Sequence, residues 1–386
     1  MNSIELFAGA GGLGIGANRA GFSPQAVIEW DKHCKKTIEH NRTQMESAVA
    51  VWPEDLLSDV RDVDFSEYHG EIDFVSGGPP CQPFSNGGKH KAQADNRDMF
   101  PEAVRAIREV RPKAFLFENV RGLTRTAFRN YFEYITLQLR HPYLESKPEE
   151  DWSDHYSRLQ RHHTSHSDTD GDYRLVTQVL NAADYGVPQK RERVFFVGFR
   201  ADTNIEWSFP RPTHSFDALV WDQLASGQYQ DRHGVLKRSL SRSNRFTSRE
   251  KRINSKPETK PWVTVRDAIS DLPNPRSIEA NQFLNHSFQD GARSYHGHTG
   301  SPYDEPAKTL KAGVHGVPGG ENMVRFVNGK VRYFSVRESA RLQTFPDNYE
   351  ITGSWSEAMR QLGNAVPVEL ARIITADIHS KLASEH

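Results

Sequence analysis

Ser3-Ile4-Glu5-Leu6-Phe7-Ala8-Gly9-Ala10-Gly11-Gly12-Leu13-Gly14, residues 3–14, joins a short apolar run to a glycine-rich turn and then to the start of a helical pattern. This is the opening of a βα unit, in which missing side chains let the backbone turn tightly off a strand and pass close to a ligand. No Gly-Lys-Ser/Thr follows, so the turn does not match a phosphate-cradling loop of the ATPase kind. Runs rich in β-branched and aromatic residues predict strands at 4–7, 26–29, 72–76, 114–118 and 194–199. Between them, 13–20, 32–40 and 99–110 read as helices, the last stopped by Pro112. The alternation predicts an α/β protein with a mostly parallel sheet and helices on both faces.

The alternation breaks from about 139 to 172, where the chain turns polar and His-rich (Arg161-His162-His163-Thr164-Ser165-His166) and reads as a solvated surface insertion. From about 210 to 332 it is rich in Gly, Pro, Ser and Arg with weak periodicity, which suggests a smaller, irregular second domain. Patterning returns at 333–386. Ser335-x-x-Glu338 and Ser354-x-x-Glu357 both match a capping box, Gly363 can end the second helix, and Pro367 can start a final one through about 381. The three parts expected are therefore 1–209, 210–332 and 333–386.

No apolar run approaches the roughly 18 residues that cross a bilayer, and the first residues lack the basic segment of a secretory signal. A cytoplasmic location is the expectation. With only Cys34 and Cys81, a disulfide framework or thiolate-rich zinc site is excluded, and any functional cysteine is a free thiol. The formal net charge of -1 provides no global basic field. Locally, ten Lys and Arg between Arg232 and Lys260 face only Glu250 and Glu258 within the run, although such runs are most often simply solvated.

Three further segments carry reactive groups. The second strand ends at Glu29-Trp30-Asp31, where a carboxylate can accept ribose hydroxyls and an indole offers a flat surface to a purine; the plainer alternative is a helix-capping acid. Ser76-Gly77-Gly78-Pro79-Pro80-Cys81-Gln82-Pro83-Phe84-Ser85 follows a buried-looking strand, and its prolines stiffen the corner around Cys81. A lone cysteine is more often buried and inert, but this one stands at the carboxyl edge of the sheet, where open α/β sheets bind ligands. Glu118-Asn119-Val120 puts a carboxylate at the end of the next strand, and Arg191 and Arg193, at i and i+2, point to one face as another strand begins.

Taken in order, the Phe-Ala-Gly-Ala-Gly-Gly turn, Glu29-Trp30, Pro79-Pro80-Cys81-Gln82, Glu118-Asn119-Val120, Gln189-x-Arg191-x-Arg193, Arg337 to Pro346 and Gln361-x-Gly363-Asn364-Ala365-Val366-Pro367 resemble the motif series of the DNA (cytosine-5)-methyltransferases. The likeness covers nearly the whole chain outside the His-rich insertion and the irregular domain. It implies a Rossmann-like catalytic domain, a target-recognition domain at 210–332, and return of 333–386 to the catalytic domain. Cys81 is implied as the nucleophile that adds to carbon 6 of cytosine, Glu118 as the group hydrogen-bonded to the base, Arg193 as its orienting partner at the cytosine O2, and Arg191 as a support of the DNA backbone phosphate.

The cofactor implied is S-adenosylmethionine, with S-adenosylhomocysteine as product. The resemblance assigns its pocket to Phe7, Ala8, Gly9, Gly11, Gly12, Leu13, Glu29, Trp30, Asp55, Leu56, Gly78, Pro80, Met99, Asn364 and Ala365. Double-stranded DNA is the implied partner, contacted by Gln82, Ser85 and Lys89 around a flipped base and by Arg242, Arg245 and Thr309 elsewhere. A cognate restriction endonuclease acting on the same sequence is a further expected partner, and a monomer without bound metal is expected. RNA-modifying relatives share Pro-Pro-Cys-Gln, but their Cys-Phe-Thr triplet is absent here.

Overall fold

The computed structural model describes residues 1–44, 46–80, 98–165, 171–240, 242–243, 245–250, 252–312 and 320–384. Its main sheet has six strands, β1 (Asn2–Leu6), β2 (Ser23–Ile28), β3 (Phe74–Gly77), β4 (Ala114–Val120), β5 (Tyr173–Asn181) and β6 (Glu192–Arg200), in the order β2-β1-β3-β4-β6-β5. β2, β1, β3 and β4 pair in parallel, and β6 runs antiparallel to both β4 and β5. The expected α/β architecture is what the chain forms.

The sheet is covered on both faces, which is why its central strands β3 and β4 are buried nearly end to end. Phe115 and Phe117 of β4 face a cluster with Phe100, Ile107 and Val110 of α3 (Phe100–Val110), placed after α1 (Gly12–Arg19) and α2 (Lys32–Arg42), and with Ile135 and Leu139 of α4 (Arg129–Arg140). Ala114 and Leu116 face the other way, onto Leu13 and Ala17 of α1 and onto Leu370, Ile374 and Ile378 near the C-terminus. The parallel strands finish in register, Leu6 opposite Gly77 and Gly77 opposite Phe117. Whatever follows Leu6, Ile28, Gly77 and Phe117 therefore emerges along one edge.

The insertion is not a solvated loop. Residues Trp152–Ser165 form α5, whose Trp152, His155, Tyr156 and Leu159 recur at helical spacing and pack with Tyr134 and Leu137 of α4. Two imidazoles are buried there. His155 sits between the Tyr134 hydroxyl (2.8 Å) and the Leu144 carbonyl (2.6 Å), and burial lowers its pKa. The polar composition hid this face because His and Tyr fill positions where Leu is usual. β5, at the sheet edge, likewise lay outside the sequence expectations.

Beyond β6 come a two-residue parallel pair, β7 (His214–Ser215) and β8 (Lys260–Pro261), with α6 (Phe216–Trp221), α7 (Gln228–His233) and α8 (Arg245–Glu250) between them, then α9 (Val265–Ile269) and a small sheet of β9 (Ser301–Pro302), β10 (Met323–Arg325) and β11 (Val331–Tyr333). Phe216, Leu219, Val220, Tyr229, Phe246 and Trp262 form an apolar cluster of this region. Val265, Ile269, Ala307, Leu310 and Val324 instead share a core with Ile15, Ile38, Trp52, Leu342 and Leu362.

The last helices are α10 (Val336–Leu342), α11 (Trp355–Asn364) and α12 (Val368–Ala383). Ser335 and Glu338 form a reciprocal capping box. At Ser354 only half of the box forms, because the Glu357 carboxylate turns to Arg360 instead. Pro367 is the N-cap of α12 as expected. Gly363 does not end α11, which continues to Asn364; a Cβ on Gly363 would stand 2.3 Å from the Ala312 nitrogen, so close packing explains the glycine. The return to the first turn and α1 is direct. A Cβ on Gly12 would meet the Val366 carbonyl at 2.3 Å and one on Gly16 the Ala371 side chain at 2.5 Å, and the Tyr349 hydroxyl donates to the Ala10 carbonyl at 3.0 Å.

Glu5 of β1 is fully enclosed, accepting from the Ser76 hydroxyl and the Gly14 backbone, and burial pushes its carboxyl up to about 8. In the unfolded chain it titrates near the ordinary carboxylate value, so folding takes up a proton across the window between the two. The contribution is complete below the unfolded value and is lost as pH rises through about 8. Replacing Glu5 by Gln should therefore flatten the fall in melting temperature between about pH 5 and 8, an effect on the order of a few kcal/mol. Parallel curves for the two proteins would contradict the assignment.

Candidate active site

Glu118 and Arg193 meet at the carboxyl edge because of strand register. Val120 lies opposite Arg193 in the antiparallel β4–β6 pair, so Glu118, two residues back on the same face, is the diagonal neighbour of Arg193. Arg193 Nε stands 2.8 Å from Glu118 Oε1, with both side chains largely buried. The contact is a close ion pair whose geometry falls short of a hydrogen bond, and Oε1 keeps its capacity to accept one. The other oxygen faces Gly78, where an added Cβ would stand 3.6 Å from it.

The strand end next door is held from two sides. Asn119 Nδ2 donates to the Pro79 carbonyl at 2.9 Å, and the Met99 backbone nitrogen to the Pro80 carbonyl at 3.0 Å. Asn119 belongs to the Glu-Asn-Val motif, and its place at a strand end beside a carboxylate is the sequence signal for this bracing role. The chain thus passes Glu118 and is held at Pro79 and Pro80, the two residues before Cys81 in sequence. Cys81, Gln82, Ser85 and Lys89 themselves lie outside the described residues. The other thiol, Cys34, is 5% exposed inside α2, and burial, reinforced by Glu29 and Asp31, pushes it well above the ordinary thiol range. A thiol in that state is a poor nucleophile.

Arg191 is brought close to the same pair, for the charges of Arg193 and Glu118 both reach it, but it points inward. It is 1% exposed and donates through Nη1 to the Gly363 carbonyl at 3.0 Å. Burial first, and the charge on Arg193 second, push it down to about 9. In this arrangement its guanidinium has no exposed surface for a phosphate, and it ties the start of β6 to α11. Gln189, which opens the Gln-x-Arg-x-Arg motif, is wholly buried and binds the Leu310 nitrogen (3.0 Å) and the Leu342 carbonyl (3.3 Å). Thr309 donates its hydroxyl to the Lys190 carbonyl at 2.7 Å, so the 307–310 segment runs beside the arginine motif.

The other half of the edge is built from the first turn and the end of β2. Phe7 and Gly9 both have positive φ (55° and 56°), and nothing lies within 4 Å of where a Cβ on Gly9 would stand, so the turn leaves an open cradle. Glu29 crosses this cradle, accepting from Gly9 N at 2.6 Å and Asp31 N at 2.7 Å. Burial raises its pKa, opposed by those two amides. Trp30 beside it is 73% exposed. Residues 55–57 run along β2, with the Leu57 nitrogen on Val27 and its carbonyl receiving Glu29 N; Leu56 is buried and Asp55 exposed. Gly11, Gly12 and Leu13 are packed inward, Ala8 and Ala365 are buried, and Asn364 is exposed at the end of α11. An open glycine turn, a strand-end carboxylate with lone pairs to spare and an uncovered indole suit a nucleoside-bearing cofactor such as S-adenosylmethionine.

The basic run is partly neutralised by acids from outside it. Arg232 pairs with Asp222 and Asp267, and Arg249 with Asp217. Arg245 lies over the Phe216 ring at 4.2 Å, and Arg242 is half-buried near Phe246 at 5.8 Å. Arg245, Arg249 and Arg252 line one groove with Phe216 and Ser248.

The family model described as C-5 cytosine-specific DNA methylase matches residues 1–142 and 153–380. The chain is 33% identical over 378 residues to the Type II methyltransferase M.PspPI of Psychrobacter sp. strain TA137, covering 96% of this chain and 77% of that protein. It is 32% identical over 372 residues to M.Eco47II of Escherichia coli, covering 95% and 76%. Among solved structures, the S. pombe Dnmt2 methyltransferase superposes with a TM-score of 0.57 at 17% identity, covering 100% of this chain and 99% of that one, a likeness of fold.

Proposed function

The chain belongs to the C-5 cytosine-specific DNA methylase family, and from that premise we propose that it methylates carbon 5 of a cytosine swung out of duplex DNA, with Cys81 as nucleophile. The observation that carries this reading is the Glu118–Arg193 pair beside the Asn119-braced corner that leads into Cys81.

Carbon 5 of cytosine is too weak a nucleophile until the ring gains electron density. The Cys81 thiolate supplies it by bonding to carbon 6, which pushes the 5,6 electron pair toward carbon 5. Glu118 hydrogen-bonds N3 and the exocyclic amine as charge develops on the ring, a contact for which either Glu118 or N3 carries the proton. Arg193 holds that carboxyl in place and faces the cytosine O2. When bound, S-adenosylmethionine supplies the methyl group from its sulfonium and leaves as S-adenosylhomocysteine. Loss of the carbon-5 proton then restores the double bond and breaks the carbon 6–sulfur bond, releasing Cys81. A stacked duplex hides all these atoms, so the base must be flipped out. Gln82, Ser85 and Lys89 are read as DNA contacts that follow the nucleophile in sequence.

Residues 210–332 are read as the target-recognition region, with Arg242, Arg245 and Thr309 facing DNA and the exposed arginines contacting phosphate. Since the relatives named above are bacterial Type II methyltransferases, a cytoplasmic monomer paired with an endonuclease of the same specificity is the matching setting. Among the described residues no helix is long and apolar enough to cross a membrane.

Bisulfite sequencing of DNA from cells expressing the protein tests the activity. Protected cytosines within one short recurring sequence are expected; DNA without any protected cytosine, with protection found only when RNA from the same cells is treated likewise, would overturn the substrate. Trp30→Ala should weaken S-adenosylmethionine binding several-fold, since the exposed ring is the surface offered to the adenine. Unchanged affinity by calorimetry would remove Trp30 from the pocket.

A further inference from the structure

The His-rich stretch folds three potential ligands into one place. His141, directly after α4, and Asp172, directly before β5, are both buried, and His162 lies half-buried in the last turn of α5. One ligand atom from each lies within 4.8 Å of those of the other two. His141 Nδ1 stands 2.8 Å from Asp172 Oδ1, the His141 and His162 ring centres are 4.9 Å apart, and His163 Nδ1 approaches His141 Nε2 at 3.1 Å. A buried imidazole and carboxylate at the meeting point of three elements are dear to desolvate, and the motif series leaves them without a task.

We propose that His141, His162 and Asp172 bind a divalent transition metal, zinc by preference, which fastens the α4–α5 hairpin to the edge of the sheet. Two nitrogens and one carboxylate oxygen are donors that zinc accepts in a tetrahedral site, with water as fourth ligand. Ligands about 2.1 Å from a shared ion lie no more than roughly 4 Å apart, so the set closes with a small rotation of the half-buried His162. A hard cation such as magnesium prefers oxygen ligands and is not suited to this set. The role is structural, because Tyr173 lies opposite Arg200 and Ala114 opposite Phe199, which places the cluster at the end of the sheet away from Glu118 and Arg193.

The test uses the untagged full-length protein, stripped with chelator, dialysed against zinc chloride and measured by plasma mass spectrometry and calorimetry. About one zinc per chain and a rise in melting temperature are expected, with magnesium unable to compete. His162→Ala is chosen because His162 is half-exposed and its loss leaves the fold in place. That variant should melt as the metal-free parent does, bind zinc at least tenfold more weakly and lose the zinc-dependent rise. Absence of retained zinc, or undiminished binding by His162→Ala, overturns the proposal.

Discussion

Cys81→Ser should abolish methyl transfer to duplex DNA, lowering kcat on the order of 10⁴-fold or more, while S-adenosylmethionine and DNA still bind. A serine hydroxyl is scarcely ionised near neutral pH, so it cannot add to carbon 6 and the ring never becomes nucleophilic. The chain has one other thiol, and Cys34 cannot substitute, being buried in α2 with a pKa pushed upward. A tritiated-methyl assay combined with a gel-shift assay separates chemistry from binding. Turnover by the serine variant within tenfold of the parent would remove Cys81 from the mechanism.

Glu118→Gln is expected to lower kcat by about 10²- to 10⁴-fold with little change in the apparent affinity for DNA. The amide has nearly the shape of the carboxyl and still fits beside Gly78, so the flipped base can dock. It can neither hold the proton that N3 needs nor carry the charge that Arg193 faces across 2.8 Å. Deleting Arg193 would be a poorer test, because it would strand a buried carboxylate and mix stability with chemistry. A Gln variant whose kcat stays within threefold would show that Glu118 only shapes the pocket.

The fold was legible where burial is simple. β1, β3 and β4 are enclosed on both faces and are mostly apolar, and glycine-rich or proline-rich corners mark the carboxyl ends of β1 and β3. α5 escaped notice because His155 and Tyr156 occupy its inner face. Residues 265–324 looked separate because their elements are only a few residues long, yet Val265, Ile269 and Leu310 pack against Ile15 and Leu342. Within the site, the i, i+2 rule placed Arg191 and Arg193 on one face but could not give depth. Arg193 reaches Glu118, whereas Arg191 turns inward to Gly363. Asn119 and Gln189 showed that uncharged members of a motif can brace the backbone on which the charged ones depend.

The most direct measurement is a covalent trap. A duplex carrying 5-fluorocytosine at the target position, incubated with the protein and S-adenosylmethionine, provides no carbon-5 proton to lose, so the sulfur cannot be released. A complex that survives denaturing electrophoresis is predicted, with the modified peptide mapping to Cys81. No stable complex, or attachment at Cys34, would contradict the account.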